Sequence, residues 1–245
     1  MITGRTVVIT GATGGMGQAF VRRFLDNGDT VVATDRAREA LESLCDAMAS
    51  ERLFVRAADI TAAEDCQAVA SLARERTGQV DVLVNVAGFF PVQGFLDMSV
   101  EDWRRIIDIN LTGTALMCRA VLPLMHGRGW GRIVNIGSAS VNEGVAGQTH
   151  YVSAKAALVG LTRSLARELG HDGITVNLIA PGVTVTPAAR KALPKDLQEA
   201  QIARRAIPRE ETPEDLVGPT FFFASPDADF VTGQTLVVDG GSHMA

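Results

Sequence analysis

The chain has 245 residues, enough for a sizeable core in one large domain or two small ones, and 47% of them are hydrophobic. A formal net charge of -5 removes any electrostatic case for nucleic acid or an anionic membrane as a partner. No apolar run reads as long enough to cross a bilayer, and the opening MITGRTVVIT lacks the basic segment and long apolar region of a signal peptide.

The first β-branched run, TVVIT, ends at Thr10 and predicts a strand. A glycine-rich turn follows, Thr10-Gly11-Ala12-Thr13-Gly14-Gly15-Met16-Gly17, and then a helical pattern. Such a turn lets backbone approach a pyrophosphate while the helix dipole favours its charge, so its place at the first strand–helix junction predicts a nucleotide site. The second run, TVVAT, ends at Thr34 and delivers Asp35 about twenty residues after the loop, where an acid can accept from the adenosine ribose hydroxyls. The same aspartate would repel a 2′-phosphate, which favours NAD, but Arg36 beside it could receive one; a plain turn or cap role for Asp35 also stays open. The third run, RLFVRAAD, ends at Asp59, which either meets the adenine edge or caps a helix; Thr61 and Glu64 fit a capping box.

The fourth run, VDVLVNVAG, ends at Gly88 and is followed by GFFP and a helix start at Ser99 and Asp102. Asn110 is a polar residue in an otherwise apolar helical stretch, and a buried amide there is either a structural bond-former or the holder of an ordered water. The fifth run, GRIVNIGS, places Ser138 at the carboxyl end of a strand, facing the ligand crevice of a parallel sheet. Thirteen residues on, Tyr151 (the only tyrosine in the chain) and Lys155 share one helix face at i, i+4 spacing, with Leu158, Leu161, Leu165 and Leu169 as the expected stripe. A nearby ammonium stabilises phenolate, and bringing a phenol from about 10 to neutrality takes about 4 kcal/mol. The pair therefore predicts an acid/base site, with an ordinary tyrosine and a solvated lysine as the bland alternative.

The sixth run, GITVNLIAP, ends at Pro181. Residues from Gly182 to about Arg209 show no clear periodicity just past a strand end, which predicts a substrate lid. Thr212 and Asp215 fit a further capping box with Pro213 at the first helical position, and QTLVVDGG supplies the last strand. Near-continuous apolar strands alternating with helices mean an α/β, doubly wound parallel sheet covered on both faces, in one domain. Cys45, Cys66 and Cys118 are odd in number and far apart, and the four histidines form no ligand pattern. The chain is thus expected to be cytoplasmic and to hold no metal.

Taken together, these residues resemble the short-chain dehydrogenase/reductase family over essentially the whole chain. The family's Thr-Gly-x-x-x-Gly-x-Gly falls on Thr10, Gly11, Gly15 and Gly17, and its catalytic tetrad on Asn110, Ser138, Tyr151 and Lys155. PGVTVT resembles its nicotinamide-contacting loop and VTGQTLVVDGG its last strand; its Asn-Asn-Ala-Gly appears as Asn85-Val86-Ala87-Gly88. The resemblance implies a single-domain Rossmann fold over residues 1–245 with seven parallel strands and a lid at about 182–209. It implies cofactor contacts from Gly11, Thr13, Gly15, Met16, Gly17, Asp35, Arg36, Asp59, Ile60, Asn85, Ala87, Gly88, Tyr151, Lys155, Pro181, Gly182, Val183, Thr184 and Thr186.

It further implies an NAD-dependent oxidoreductase, with NADP disfavoured by Asp35, and a homo-oligomer, commonly a tetramer built through helices around 100–126 and 150–170. Phe89, Phe90, Pro91, Val145 and the lid are mostly apolar and point to a small hydrophobic secondary alcohol or ketone, benzylic or alicyclic. Two alternatives stand beside this reading: a 3-oxoacyl-[acyl-carrier-protein] reductase, which usually takes NADPH, and a non-catalytic nucleotide-sensing regulator.

Overall fold

The computed structural model describes residues 3–186, 190 and 195–244. Seven β-branched segments form the strands: β1 (Thr6–Thr10), β2 (Thr30–Asp35), β3 (Leu53–Ala57), β4 (Val82–Asn85), β5 (Gly131–Ile136), β6 (Ile174–Pro181) and β7 (Thr235–Val238). All pair in parallel in the order β3-β2-β1-β4-β5-β6-β7. The order reverses between β1 and β4, and the crevice at that switch is where such a sheet binds ligands.

The helices are α1 (Gly15–Asp26), α2 (Arg38–Met48), α3 (Ala63–Thr77), α4 (Val100–Ile107), α5 (Gly113–Val121), α6 (Ser140–Glu143), α7 (Thr149–Leu169), α8 (Lys195–Ala203) and α9 (Pro213–Phe223), among the described residues. Successive strand residues feed opposite layers. Val7 and Ile9 join Phe20, Phe24, Leu41 and Phe221 on one face, while Val8 joins Val69, Met117 and Val176 on the other.

Several expectations change in detail. The α3 start has no side-chain cap from Thr61; instead Asp59 accepts from the Thr61 N–H and hydroxyl at 2.9 and 2.7 Å, a tighter local turn that outcompetes the box. The Ser99–Asp102 box forms as expected, and Thr212 donates from N and Oγ1 to Asp215. The apolar face of α7 is Ala154, Leu158, Thr162 and Ala166, with Leu161, Leu165 and Leu169 only half-buried beside it.

One expectation changes on length and composition alone. Val100–Leu124 runs as 25 continuous helical residues whose best window has a mean hydropathy of 1.2, long and apolar enough to span a bilayer. Part of that apolarity goes to the core, where Met117, Cys118 and Val121 are fully buried. The rod also contains a π-turn, Asp108–Thr112, between α4 and α5.

The stretch taken as an aperiodic lid contains α8, and Thr184 forms a parallel bridge with Glu211. Positions 187–189 and 191–194 of that lid lie outside the described residues. The three cysteines are free; burial pushes the Cys66 thiol to about 11 and the Cys118 thiol to about 12.

Candidate active site

Two adjoining cavities open at the carboxyl ends of the strands. The smaller, about 310 Å³, is lined by Gly11, Thr13, Gly15, Met16, Gly17, Asp35, Arg36, Asp59, Ile60, Ala87, Gly88 and Thr186, all expected cofactor contacts. Here the turn geometry depends on missing side chains. A Cβ on Gly11, which has φ 64°, would sit 2.7 Å from the Ala87 backbone; one on Gly17 would sit 2.2 Å from the Gly11 carbonyl. Thr10 ties the floor together, its Oγ1 accepting from the N–H groups of Val86 and Ala87 at 3.1 and 3.2 Å. At the α1 start, Gly14 supplies no side-chain cap, so the first N–H groups face the cavity as a ready anion site.

Asp35 is already engaged in holding this loop. Its Oδ2 accepts from Thr13 N and Oγ1 at 3.1 and 2.6 Å, and its Oδ1 accepts from Arg36 N at 2.7 Å. A carboxylate offers about four acceptor positions, which leaves one on Oδ1 for a ribose hydroxyl. The turn role and the ribose role are therefore compatible on one side chain.

Asn85 is the correction among the expected cofactor residues. It lines neither cavity: its amide turns into the sheet, where Nδ2 donates to Asn135 Oδ1 at 2.9 Å and to Cys118 Sγ at 3.5 Å. Asn85 and Asn135 are register partners on β4 and β5, so the pair is a cross-strand amide bond.

The larger cavity, about 590 Å³, is lined by Ser138, Tyr151 and Lys155 together with Gly88, Phe90, Val145 and the segment Pro181, Gly182, Val183, Thr184 and Thr186. Phe89 lines the smaller cavity instead, and Pro91 lines neither. Ser138 stands two residues past β5, yet Gly137 N and Ala139 N still donate to Ile179 and Pro181 at 2.7 and 2.8 Å, which fixes the turn that presents its hydroxyl. Burial raises the Tyr151 phenol above its ordinary value, and hydrogen bonding to Ser138 works in the opposite direction. Burial lowers Lys155 to about 8, and its Nζ donates to Ile136 O at 2.8 Å. The phenol thus stands above its ordinary value rather than below it as expected, with the Lys155 ammonium 5.8 Å from the ring centre and bonded to the β5 carbonyl.

Asn110 is fully buried in the π-turn. Its Oδ1 accepts from Phe89 N at 3.2 Å, and its Nδ2 donates to Phe89 O and Ile106 O at 2.9 and 3.0 Å. Three of its four hydrogen-bonding positions serve structure, and one Oδ1 lone pair remains. Gly88 leaves a gap beside that oxygen: an added Cβ would lie 2.9 Å from Asn110 Oδ1 and 3.5 Å from Lys155 Nζ. The structural and water-holding readings of Asn110 can both be true.

The comparisons fit this geometry. A family model described as "Enoyl-(Acyl carrier protein) reductase" matches residues 11–243. The 3-oxoacyl-[acyl-carrier-protein] reductase FabG of Vibrio harveyi is 34% identical over 99% of both chains. A crystal structure titled "Short-chain dehydrogenase/reductase SDR:Glucose/ribitol dehydrogenase from Brucella melitensis" superposes with a TM-score of 0.95 at 36% identity, covering 100% of this chain and 98% of that one. The chain belongs to the short-chain dehydrogenase/reductase family.

As a short-chain dehydrogenase/reductase it is an oxidoreductase acting on CH–OH groups with a nicotinamide cofactor and a small-molecule substrate. The 2,3-dihydroxy-2,3-dihydro-p-cumate dehydrogenase of Pseudomonas putida is 37% identical, over 99% of this chain and 96% of that one.

Part of the larger cavity's lining is polar, in contrast to the mostly apolar wall expected from the sequence. Arg204, just past α8, pairs with Glu143 of α6. Glu143 is also 3.7 Å from His243, whose Nδ1 is 2.8 Å from Asp239. Asp239 in turn accepts from the N–H groups of Gly241, Ser242 and His243. Beneath the 182–186 segment, buried Glu211 accepts from Thr184 Oγ1 at 2.7 Å and pairs with buried Arg205 at 3.5 Å; burial raises its carboxyl. These groups come from four distant stretches, so no local spacing announces them.

Proposed function

We propose that this enzyme interconverts a hydrophobic secondary alcohol and its ketone with NAD(H), Tyr151 exchanging the hydroxyl proton. The observation that carries the proposal is that Ser138, Tyr151 and Lys155 share one cavity wall that adjoins the glycine-loop cavity. Apolar side chains around the reacting end, Phe90, Val145, Ala146 and Val183, favour a benzylic or alicyclic substrate.

In this reading the backbone of Gly11–Gly17 and the α1 N-terminus hold the pyrophosphate, and Asp35 holds the adenosine ribose and disfavours a 2′-phosphate. Lys155 has two N–H groups left after its bond to Ile136, one for the nicotinamide ribose and one for a water in the Gly88 gap. A bound nicotinamide would supply the hydride chemistry and, when oxidised, a positive charge. Ser138 orients the substrate oxygen, Tyr151 gives or takes its proton, and a water in the Gly88 gap links Lys155 with Asn110. From the described part of the expected lid, Val183, Thr184, Thr186, Ala200 and Gln201 line the cavity. We also expect a cytoplasmic homotetramer, whose assembly state sedimentation checks directly.

Tyr151→Phe is expected to cut turnover by about a hundredfold or more while NAD still binds, since general acid–base catalysis is worth ~10²–10⁴. Near-normal turnover in that variant would sink the assignment. A second reading, 3-oxoacyl-[acyl-carrier-protein] reductase, is favoured by the Vibrio harveyi relative at full coverage. A panel of aryl and alicyclic alcohols set against 3-oxoacyl thioesters, each with NAD(H) and NADP(H), separates the two.

A further inference from the structure

Ser140, the first residue of α6, lines the same cavity as Ser138 and Tyr151. Its Oγ lies 2.8 Å from Ser138 Oγ, and its backbone N–H donates to that same oxygen at 3.2 Å. Tyr151 lines the same cavity, and the Ser138 hydroxyl works to lower its phenol against the rise that burial causes.

Counting protons decides what this arrangement can do. A serine hydroxyl has one proton and two lone pairs. The Ser140 N–H can only donate, so it holds one lone pair of Ser138 in every state. What remains, one proton and one lone pair, is divided between Ser140 Oγ and the cavity side, where Tyr151 and the substrate oxygen stand. With Tyr151 as phenolate, Ser138 must donate to the phenolate oxygen, and Ser140 O–H then donates to Ser138. With Tyr151 as phenol, Tyr151 donates to Ser138, and the Ser138 proton turns to Ser140 Oγ. Ser140 completes both patterns by switching between donor and acceptor. The first pattern ends on a charge, so its chained bonds are the stronger set.

We infer that Ser140 is a positioning residue for the reaction: its hydroxyl and N–H together aim the single proton of Ser138 at whichever oxygen is gaining charge, that of Tyr151 or of the substrate. This rests on the reading of Tyr151 as the acid/base. It also assigns a reason for the sharp turn from β5 into α6, which brings Ser140 N back over Ser138.

The single tyrosine makes the test direct, because every phenolate signal in this chain comes from Tyr151. Phenolate absorbance is titrated in wild type, Ser140→Ala and Ser140→Thr, with Tyr151→Phe as blank, alongside steady-state kinetics. Losing one net hydrogen bond to the charged form is expected to raise the Ser140→Ala midpoint by about half a unit to one unit. Turnover should fall by about three- to tenfold with KM within about twofold, and Ser140→Thr should restore both readings. An unchanged midpoint and turnover in Ser140→Ala overturns the inference, as does equal loss in Ser140→Thr. If Tyr151→Phe stays active, the acid/base reading fails and takes this one with it, an outcome distinct from failure at Ser140 alone.

Discussion

Lys155 Nζ donates to the carbonyl oxygen of Ile136, 2.8 Å away at the last residue of β5, so the strand that leads to Ser138 also holds the lysine one turn past Tyr151. The ammonium is buried and lowered from 10.5 to about 8. Its charged form is therefore disfavoured by folding: the cost is fully present below about pH 8 and is relieved as pH rises toward 10.5. Wild type should gain stability over Lys155→Met across that window, by about 3 kcal/mol at most. Tyr151 is common to both proteins and cancels. Urea unfolding of the two at several pH values checks this, and parallel pH trends would refute it.

Asp35 governs the choice of nucleotide in the proposed scheme. Asp35→Asn keeps an acceptor oxygen for Thr13 and removes the charge that opposes a 2′-phosphate, leaving exposed Arg36 to meet it. The ratio of kcat/KM for NADP to that for NAD should rise about tenfold, equivalent to about 1.4 kcal/mol. No change in the ratio would confine Asp35 to its turn role.

Gly88 is expected to matter through what it leaves out. The methyl of Gly88→Ala would stand 2.9 Å from Asn110 Oδ1 and occupy the gap facing Lys155. Turnover should drop about tenfold, with a stability loss of about 1–2 kcal/mol as the buried, bonded Asn110 amide gives way. Full turnover would show that nothing in that gap serves the reaction.

The Arg204–Glu143 pair joins the end of α8 to α6 across the cavity mouth, with the arginine 47% exposed. A pair this exposed is worth about 1 kcal/mol at most, so Arg204→Gln should raise substrate KM by no more than about fivefold. Added salt should raise the wild-type KM and leave the variant unmoved. A salt response that is the same in both would remove the pair from substrate capture.

What the sequence carried and what it withheld divide along range. Strand runs such as TVVIT and GITVNLIAP carry their own β-branched signal, and the Tyr151–Lys155 spacing places both side chains on α7 without further help. Ser138 needed only to follow a strand. Asn85 was different: whether an amide at a strand end faces ligand or neighbouring strand depends on its register with Asn135, fifty positions away. The polar wall of Glu143, Arg204, Asp239 and His243 is likewise assembled only when α6, the end of α8 and the residues after β7 meet. Local competition hid the α3 start, where Asp59 took the Thr61 donors that a capping box would have used.

Tyr151, with the ring of Phe90 6.2 Å from its own, is the sole tyrosine of the chain. Protein grown on fluorotyrosine would carry a single fluorine, placed at the reaction centre. Its resonance would need no assignment, and would follow ring protonation, ligand arrival and the Phe90 contact in the intact enzyme.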